Sequence, residues 1–200
     1  MTLERLVLAT ANAGKVRELR ELVAEWGPIE VLSSPVVEMP DETGTTYVEN
    51  AVLKARAVAV ATGLPALADD SGIEVDALGG APGVRSARYA SSAAERNARM
   101  LAELHDVSES RRTARYRAAV ALAFPDGTVL TAEGSCEGRI ATAPRGSGGF
   151  GYDPIFVSLE LGRTVGEASV AEKARVSHRA RAMRTLGREL QARGIVASPS

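Results

Sequence analysis

The sequence predicts an α/β fold in which helices flank a mixed sheet, and three observations carry that reading. Segments with apolar residues at helical spacing alternate with short β-branched runs. One pair of runs is joined by a tight turn and reads as a hairpin, which brings antiparallel pairing into the sheet. No repeat, low-complexity segment or linker divides the 200 residues, so residues 1–196 are expected to form one domain with 197–200 as a frayed tail.

Taken in order, LVLAT (6–10) is a short buried strand. GKVRELRELVAEWG places Val16, Leu19, Leu22, Val23 and Trp26 on one helical face and stops at Gly27-Pro28. IEVLSS supplies a second strand. TTYVENAVLKARAVAVATG is helical, opened by a capping box of Thr46 and Glu49 and closed by Gly63. ALADDSGIEVDAL reads as strand, acidic turn and strand, and GGAPGVRSARYA as a loop. AAERNARMLAELHDV is a helix burying Met100, Leu101 and Leu104. TARYRAAVALAF and TVLTAEGSCEG form the hairpin across PDGT. A further capping box, Ser169 with Glu172, opens a C-terminal helical region through Gln191.

Composition narrows the function classes. A net charge of -1 gives no global bias toward nucleic acid or a membrane surface. A single cysteine, Cys136, allows no intrachain disulfide and suits a reducing compartment, so the expected location is cytoplasmic. The apolar run at the N-terminus is too short for a signal peptide, and no stretch reaches the roughly twenty apolar residues of a spanning helix.

Four stretches could carry chemistry. GSGGFGYDPIF contains a literal G-x-G-x-x-G at Gly146, Gly148 and Gly151, but Pro154 and the run Ile155-Phe156-Val157 follow where a dinucleotide fingerprint needs a helix. LATANAGK resembles a phosphate loop without being one, since Ala9 and Val16 stand where the Walker pattern has Gly and Ser or Thr. Its strand-loop-helix layout still offers N–H groups for an anion, with Thr10, Asn12 and Lys15 adding donors; an ordinary turn with a solvated lysine fits equally. ADDSG suits either a Mg²⁺ site at a strand end or a β-turn, with Glu42 as a second candidate carboxylate. In EKARVSHR, Lys173 and Ser177 lie one helical turn apart beside His178 and Arg179; the surrounding arginines read as a solvated face. No zinc-ligand spacing and no nucleophile elbow is present.

TxNxxK, ENAxxKA, ADDSGxxVDALGGxPGxxSARYA, GxGGFGYDPxF and EKxxxSHR occur in that order, and together they resemble the inosine triphosphate pyrophosphatase family over about residues 6–190. The resemblance implies an elongated two-lobed α/β fold with a mixed, curved central sheet, an active-site cleft between the lobes, and a homodimer. It implies Mg²⁺-dependent hydrolysis of non-standard purine triphosphates to monophosphate and pyrophosphate. Carried onto this chain, Thr10, Ala11, Asn12, Ala13, Gly14 and Lys15 bind the triphosphate, Asp70 is the metal-associated base, Glu42 a metal ligand and Ser71 a substrate contact. Phe150, Gly151, Tyr152, Asp153, Lys173, His178 and Arg179 form the nucleoside pocket, in which Phe150 stacks on the base. Lys54 is a candidate phosphate contact and Asp69 a supporting acid or turn former.

Two other classes compete. A septum-inhibitor-type (Maf-like) nucleotide pyrophosphatase lacks the FGYDP and SHR segments. A non-enzymatic nucleotide or RNA-binding module would use the basic C-terminal helix; the paired acids of ADDSG and the near-neutral charge argue against it, and neither nucleic acid nor a membrane is an expected partner.

Overall fold

Apolar runs become strands and amphipathic segments become helices largely where the pattern puts them, in a computed structural model that describes residues 2–33 and 39–197. β1 (Arg5–Leu8) leads through α1 (Ala13–Ala24) to β2 (Glu30–Ser33), which lies parallel to β1 with Arg5 opposite Glu30 and Leu8 opposite Ser33. α2 (Tyr47–Thr62) returns the chain to β3 (Ala66–Val75), also parallel to β1. Then come α3 (Ala93–Glu103), β4 (Thr113–Ala123), β5 (Val129–Ile140), β6 (Phe156–Ser158), α4 (Val170–Val176) and α5 (His178–Ala192). The sheet runs β2-β1-β3-β4-β5-β6, and its β5–β6 pair is antiparallel, so it is mixed as expected.

The chain divides into two compact units. Unit 1 comprises Met1–Asp70, Ala118–Gly134 and Arg179–Ser200; its core buries Leu6, Leu8, Leu19, Val23 and Trp26 with Leu122, Met183, Leu186 and Leu190. Unit 2 comprises Ser71–Arg117 and Ser135–His178, with Ile73, Met100, Leu104, Tyr116, Ile140, Ile155 and Phe156 at its centre. No helix among the described residues is long and apolar enough to cross a membrane. Ser34 of the second expected strand and residues 198–200 of the expected tail lie outside the described residues.

Capping chemistry sets the helix ends. The Thr46 hydroxyl accepts from the Glu49 N–H and the Glu49 carboxylate from the Thr46 N–H, and Gly63 closes α2 at φ 66°. Ser169 and Glu172 do the same for α4.

Three expectations need correction. ADDSG does not turn: β3 runs unbroken from Ala66 to Val75. Asp, Ser and Gly favour a turn by local chemistry, whereas Asp69 and Asp70 are here both buried and both partnered. Residues 79–90 are not all loop, because Gly83–Arg88 wind into a 3₁₀ helix. The C-terminal helical region breaks at Ser177, which is extended (φ −67°, ψ 148°) and separates α4 from α5. Serine immediately before a helix is a favoured residue type.

Candidate active site

Unit 1 carries a buried network of charges. Consecutive strand residues point to opposite faces, so adjacent Asp69 and Asp70 of β3 enter separate groups of partners. Asp69, fully buried, lies 2.6 Å from the Lys15 ammonium and accepts from Arg179 Nε at 3.0 Å. Arg179, itself 1% exposed, also donates to Glu18. Asp70 accepts from Lys54 Nζ and from Asn50 Nδ2, each at 3.2 Å. Lys54 further donates to Glu42 at 2.7 Å and to the Asp69 carbonyl at 2.8 Å.

Local structure sets these contacts. Asn50 and Lys54 are one turn apart on α2 and share a face. Asn50 Oδ1 also accepts from the Gly44 N–H, where a Cβ would come within 2.6 Å of that oxygen. A glycine at 44 thus lets the segment carrying Glu42 close onto α2.

Electrostatics separate the two aspartates. Burial alone would raise Asp69, but Arg179 and Lys15 hold its carboxyl far below the usual range. For Asp70 burial dominates: with the Glu42 carboxylate beside it, it lifts the group above its ordinary value against the pull of Lys54. Burial lowers Lys15 despite Asp69. Lys54, though buried, is raised on balance by Asp70 and Glu42. Asp69 is therefore a fixed anion, and Asp70 is the more basic carboxylate.

Around the phosphate-like loop the expectation is partly revised. Asn12 Oδ1 accepts from the Gly14 and Lys15 N–H groups at 2.9 and 3.2 Å, and Thr10 Oγ1 accepts from the Asn12 N–H at 3.2 Å. These N–H groups are capped by the chain's own side chain rather than left open for an anion. Thr10 is half-buried, while Ala11, Asn12 and Ala13 are exposed. Ser71, the first residue of unit 2, is half-buried.

Glu42 and Asp70 are hard oxygen donors that share one cation, the Lys54 ammonium. Among the described residues no group of three or more His, Cys, Asp or Glu side chains is arranged to hold a metal. Mg²⁺ needs no such cage, since it commonly takes one or two carboxylates and completes its shell with water and substrate phosphates. The donor set fits that ion.

Unit 2 brings together most of the residues expected around a base. Asp153, 3% exposed, accepts from Lys173 Nζ at 2.6 Å, from the Phe150 N–H at 2.8 Å and from the Tyr116 hydroxyl at 3.2 Å. The Lys173 ammonium sits 4.3 Å from the Phe150 ring centroid, a cation–π distance. The His178 imidazole stacks on Tyr116 with centroids 4.6 Å apart and planes 12° apart. Tyr152 donates to the Ser86 carbonyl at 2.8 Å, and Asn97 holds the Gly151 carbonyl at 3.2 Å.

Two glycines of GSGGFG, Gly146 and Gly149, are explained by packing inside unit 2. A Cβ on Gly146 would meet the Gly166 carbonyl oxygen at 2.1 Å, and one on Gly149 would meet Asp153 Oδ2 at 2.0 Å; both have positive φ (75° and 72°). Only glycine fits either place.

Arg179 pairs with Asp69 and Glu18 within unit 1, and Lys173 and His178 belong to unit 2. Sequence reasoning missed Asn50, Glu18 and Tyr116. Asn50 could have been found one helical turn before Lys54, and Tyr116 as an inward position of a period-two strand. Nothing in the sequence marks Glu18.

A model of the Ham1 family matches residues 6–189. A dITP/XTP pyrophosphatase of Thermus thermophilus is 54% identical over 185 residues, 91% of this chain and 89% of the relative. That of Symbiobacterium thermophilum is 53% identical over 184 residues, 92% of this chain and 93% of the relative. The structure of a HAM1 protein from Coxiella burnetii superposes with a TM-score of 0.85 at 41% identity, covering 96% of this chain and 100% of that one.

Proposed function

The chain belongs to the Ham1 family, matched over residues 6–189, and from that membership we propose that it hydrolyses non-standard purine nucleoside triphosphates. Its substrates are inosine, deoxyinosine and xanthosine triphosphates, its products the monophosphate and pyrophosphate, and its cofactor Mg²⁺. The observation that carries the mechanism is the contrast between the two aspartates: Asp69 is locked by two cations, while Asp70 is held at the end of a partly neutralised carboxylate pair.

A triphosphate carries about four negative charges, so phosphoryl transfer depends mainly on positioning and charge stabilisation. Lys15 serves the phosphates through its ammonium, with the segment Thr10 to Gly14 beside it exchanging its Asn12 cap for a phosphate oxygen, and Lys54 exchanges part of its carboxylate contact for another. Glu42 and Asp70 hold the Mg²⁺, which when bound neutralises phosphate charge and acidifies water. Asp70 orients the attacking water and takes its proton as the α-phosphorus is attacked. Asn50 keeps the Asp70 carboxylate oriented.

At the base, Phe150 stacks and Lys173, His178 and Arg179 supply donors. Hypoxanthine and xanthine offer an acceptor at O6 where adenine has an amino group, so donor-only side chains discriminate between them. For Arg179 the role requires giving up a present partner. Glu18, whose side chain is 21% exposed, is easier to release than fully buried Asp69.

The family resemblance supports a homodimer, as does a pair of exposed apolar side chains two turns apart on α2, Leu53 (39%) and Val60 (82%). The single cysteine supports the cytoplasm as its compartment. The test is incubation with inosine triphosphate and Mg²⁺. Equal amounts of monophosphate and pyrophosphate are expected, whereas diphosphate and orthophosphate as first products overturn the assignment.

A further inference from the structure

The geometry points to Tyr116 as a positioning residue for the base pocket, its ring fixing the plane of His178 and its hydroxyl fixing Asp153, which in turn holds Lys173 and the Phe150 amide. The inference rests on the pocket assignment above and adds a residue that none of the sequence motifs contains.

Tyr116 lies in the stretch of β4 that belongs to unit 2, 8% exposed, with its ring against two aromatic partners. Phe156 meets it at 4.5 Å with a 53° tilt and anchors it in the core. His178 lies nearly parallel to it at 4.6 Å and 12°. A stacked neighbour removes rotation about the imidazole's last torsion, which is otherwise broad, so the ring nitrogens keep one set of directions. The hydroxyl donates to Asp153 Oδ1 at 3.2 Å, while Oδ2 takes Lys173 and the Phe150 N–H at 2.6 and 2.8 Å. Both oxygens of Asp153 are thus engaged by the chain itself, and the carboxylate orients donors and the stacking residue instead of reading the base. Burial, then the Asp153 charge, pushes the Tyr116 hydroxyl well above its ordinary value, so it stays protonated and keeps donating.

A core tyrosine without this role would affect stability alone. Binding of inosine monophosphate, which cannot be hydrolysed to pyrophosphate, separates the two cases, and proton NMR suits it because the chain has only two histidines, His105 and His178. Exposed His105 serves as the internal reference. In the wild type the His178 ring protons are expected upfield from the Tyr116 ring current and should move on titration with inosine monophosphate. Tyr116→Phe keeps both ring contacts and loses the hydroxyl; its Kd should rise about threefold to tenfold, the worth of one hydrogen bond, with the His178 resonance still upfield. Tyr116→Leu should bring that resonance to an ordinary position and raise Kd by about tenfold or more, the aromatic pair being lost as well. Folded Tyr116→Phe protein with an unchanged Kd and unchanged Phe150 and Lys173 resonances overturns the hydroxyl's role. A Tyr116→Leu Kd within twofold of wild type overturns the ring's role. If inosine monophosphate moves no wild-type resonance, the pocket assignment falls first and the positioning role with it.

Discussion

Replacing each of the two adjacent aspartates by asparagine should produce opposite defects. Asp69 is fully buried and shared by Lys15 at 2.6 Å and Arg179 at 3.0 Å, the latter 1% exposed. Removing one partner of a buried ion pair costs about 3–5 kcal/mol, because the remaining charge stays desolvated. Asparagine still offers one acceptor and Arg179 keeps Glu18, which sets the expectation for Asp69→Asn at the lower end, about 3 kcal/mol. Asp70 differs. Burial raises its pKa, so its ionised form is disfavoured in the folded chain, and Lys54 retains Glu42 and the Asp69 carbonyl when the charge is removed. Asp70→Asn should therefore change stability by no more than about 1 kcal/mol, one ordinary hydrogen bond. Its kcat with inosine triphosphate and Mg²⁺ should fall by at least about 10²-fold, the usual worth of a general base. Urea unfolding curves and initial rates on both variants read the two effects independently. An Asp69→Asn protein within about 1 kcal/mol of wild type refutes the buried triad. An Asp70→Asn enzyme with near-normal kcat refutes the base, and a larger kcat loss in Asp69→Asn exchanges the two roles.

Phe150→Ala should weaken inosine and adenosine triphosphates alike, raising KM by about tenfold or more from lost stacking; a changed ratio of kcat/KM between the two nucleotides would show that Phe150 selects the base. Arg179→Ala should lower that ratio by at least about tenfold, since a donor to O6 is lost for one substrate only, and an unchanged ratio would confine Arg179 to its ion pairs with Asp69 and Glu18. Hydrogen bonds from the Ser169 N–H and hydroxyl, then Arg163, pull Glu172 from its ordinary 4.5 down to about 2. Because the folded value is the lower one, its stabilising contribution is complete above pH 4.5 and is lost as pH falls toward about 2. Melting temperatures across that window should fall less steeply for Glu172→Gln than for wild type, and parallel curves would refute the capping assignment.

What the sequence made legible is what depends on local chemistry. Capping boxes at Thr46 and Ser169 and the glycine at 63 need only residues within one helical turn, and they appear where the pattern put them. The strand through ADDSG was misread for the opposite reason. Asp, Ser and Gly favour a turn as long as their polar groups must reach water. Partners distant in sequence, Lys15 and Arg179 for Asp69 and Asn50 and Lys54 for Asp70, let the same residues stay extended and buried.

That misreading and the candidate site have a common origin. A strand that buries two consecutive carboxylates is costly unless each meets cations or donors on its own face. Lys15 and Arg179 stabilise Asp69 fully as an anion, so it has little tendency to accept a proton. Asp70 meets one ammonium that it shares with Glu42, together with the neutral amide of Asn50, and stays above its ordinary pKa. The pairing is unequal: Asp69 is held as an anion by two cations, and Asp70 is the more basic carboxylate of the two. Tyr116 shows the same logic in unit 2. Its neighbours Arg115 and Arg117 are engaged with acids at the surface of β4, Arg115 with Asp76 and Arg117 with Glu74. The alternate, inward position carries the hydroxyl that reaches Asp153. Period two fixes which side chain faces inward, and only the fold determines that Asp153 and His178 are there to meet it.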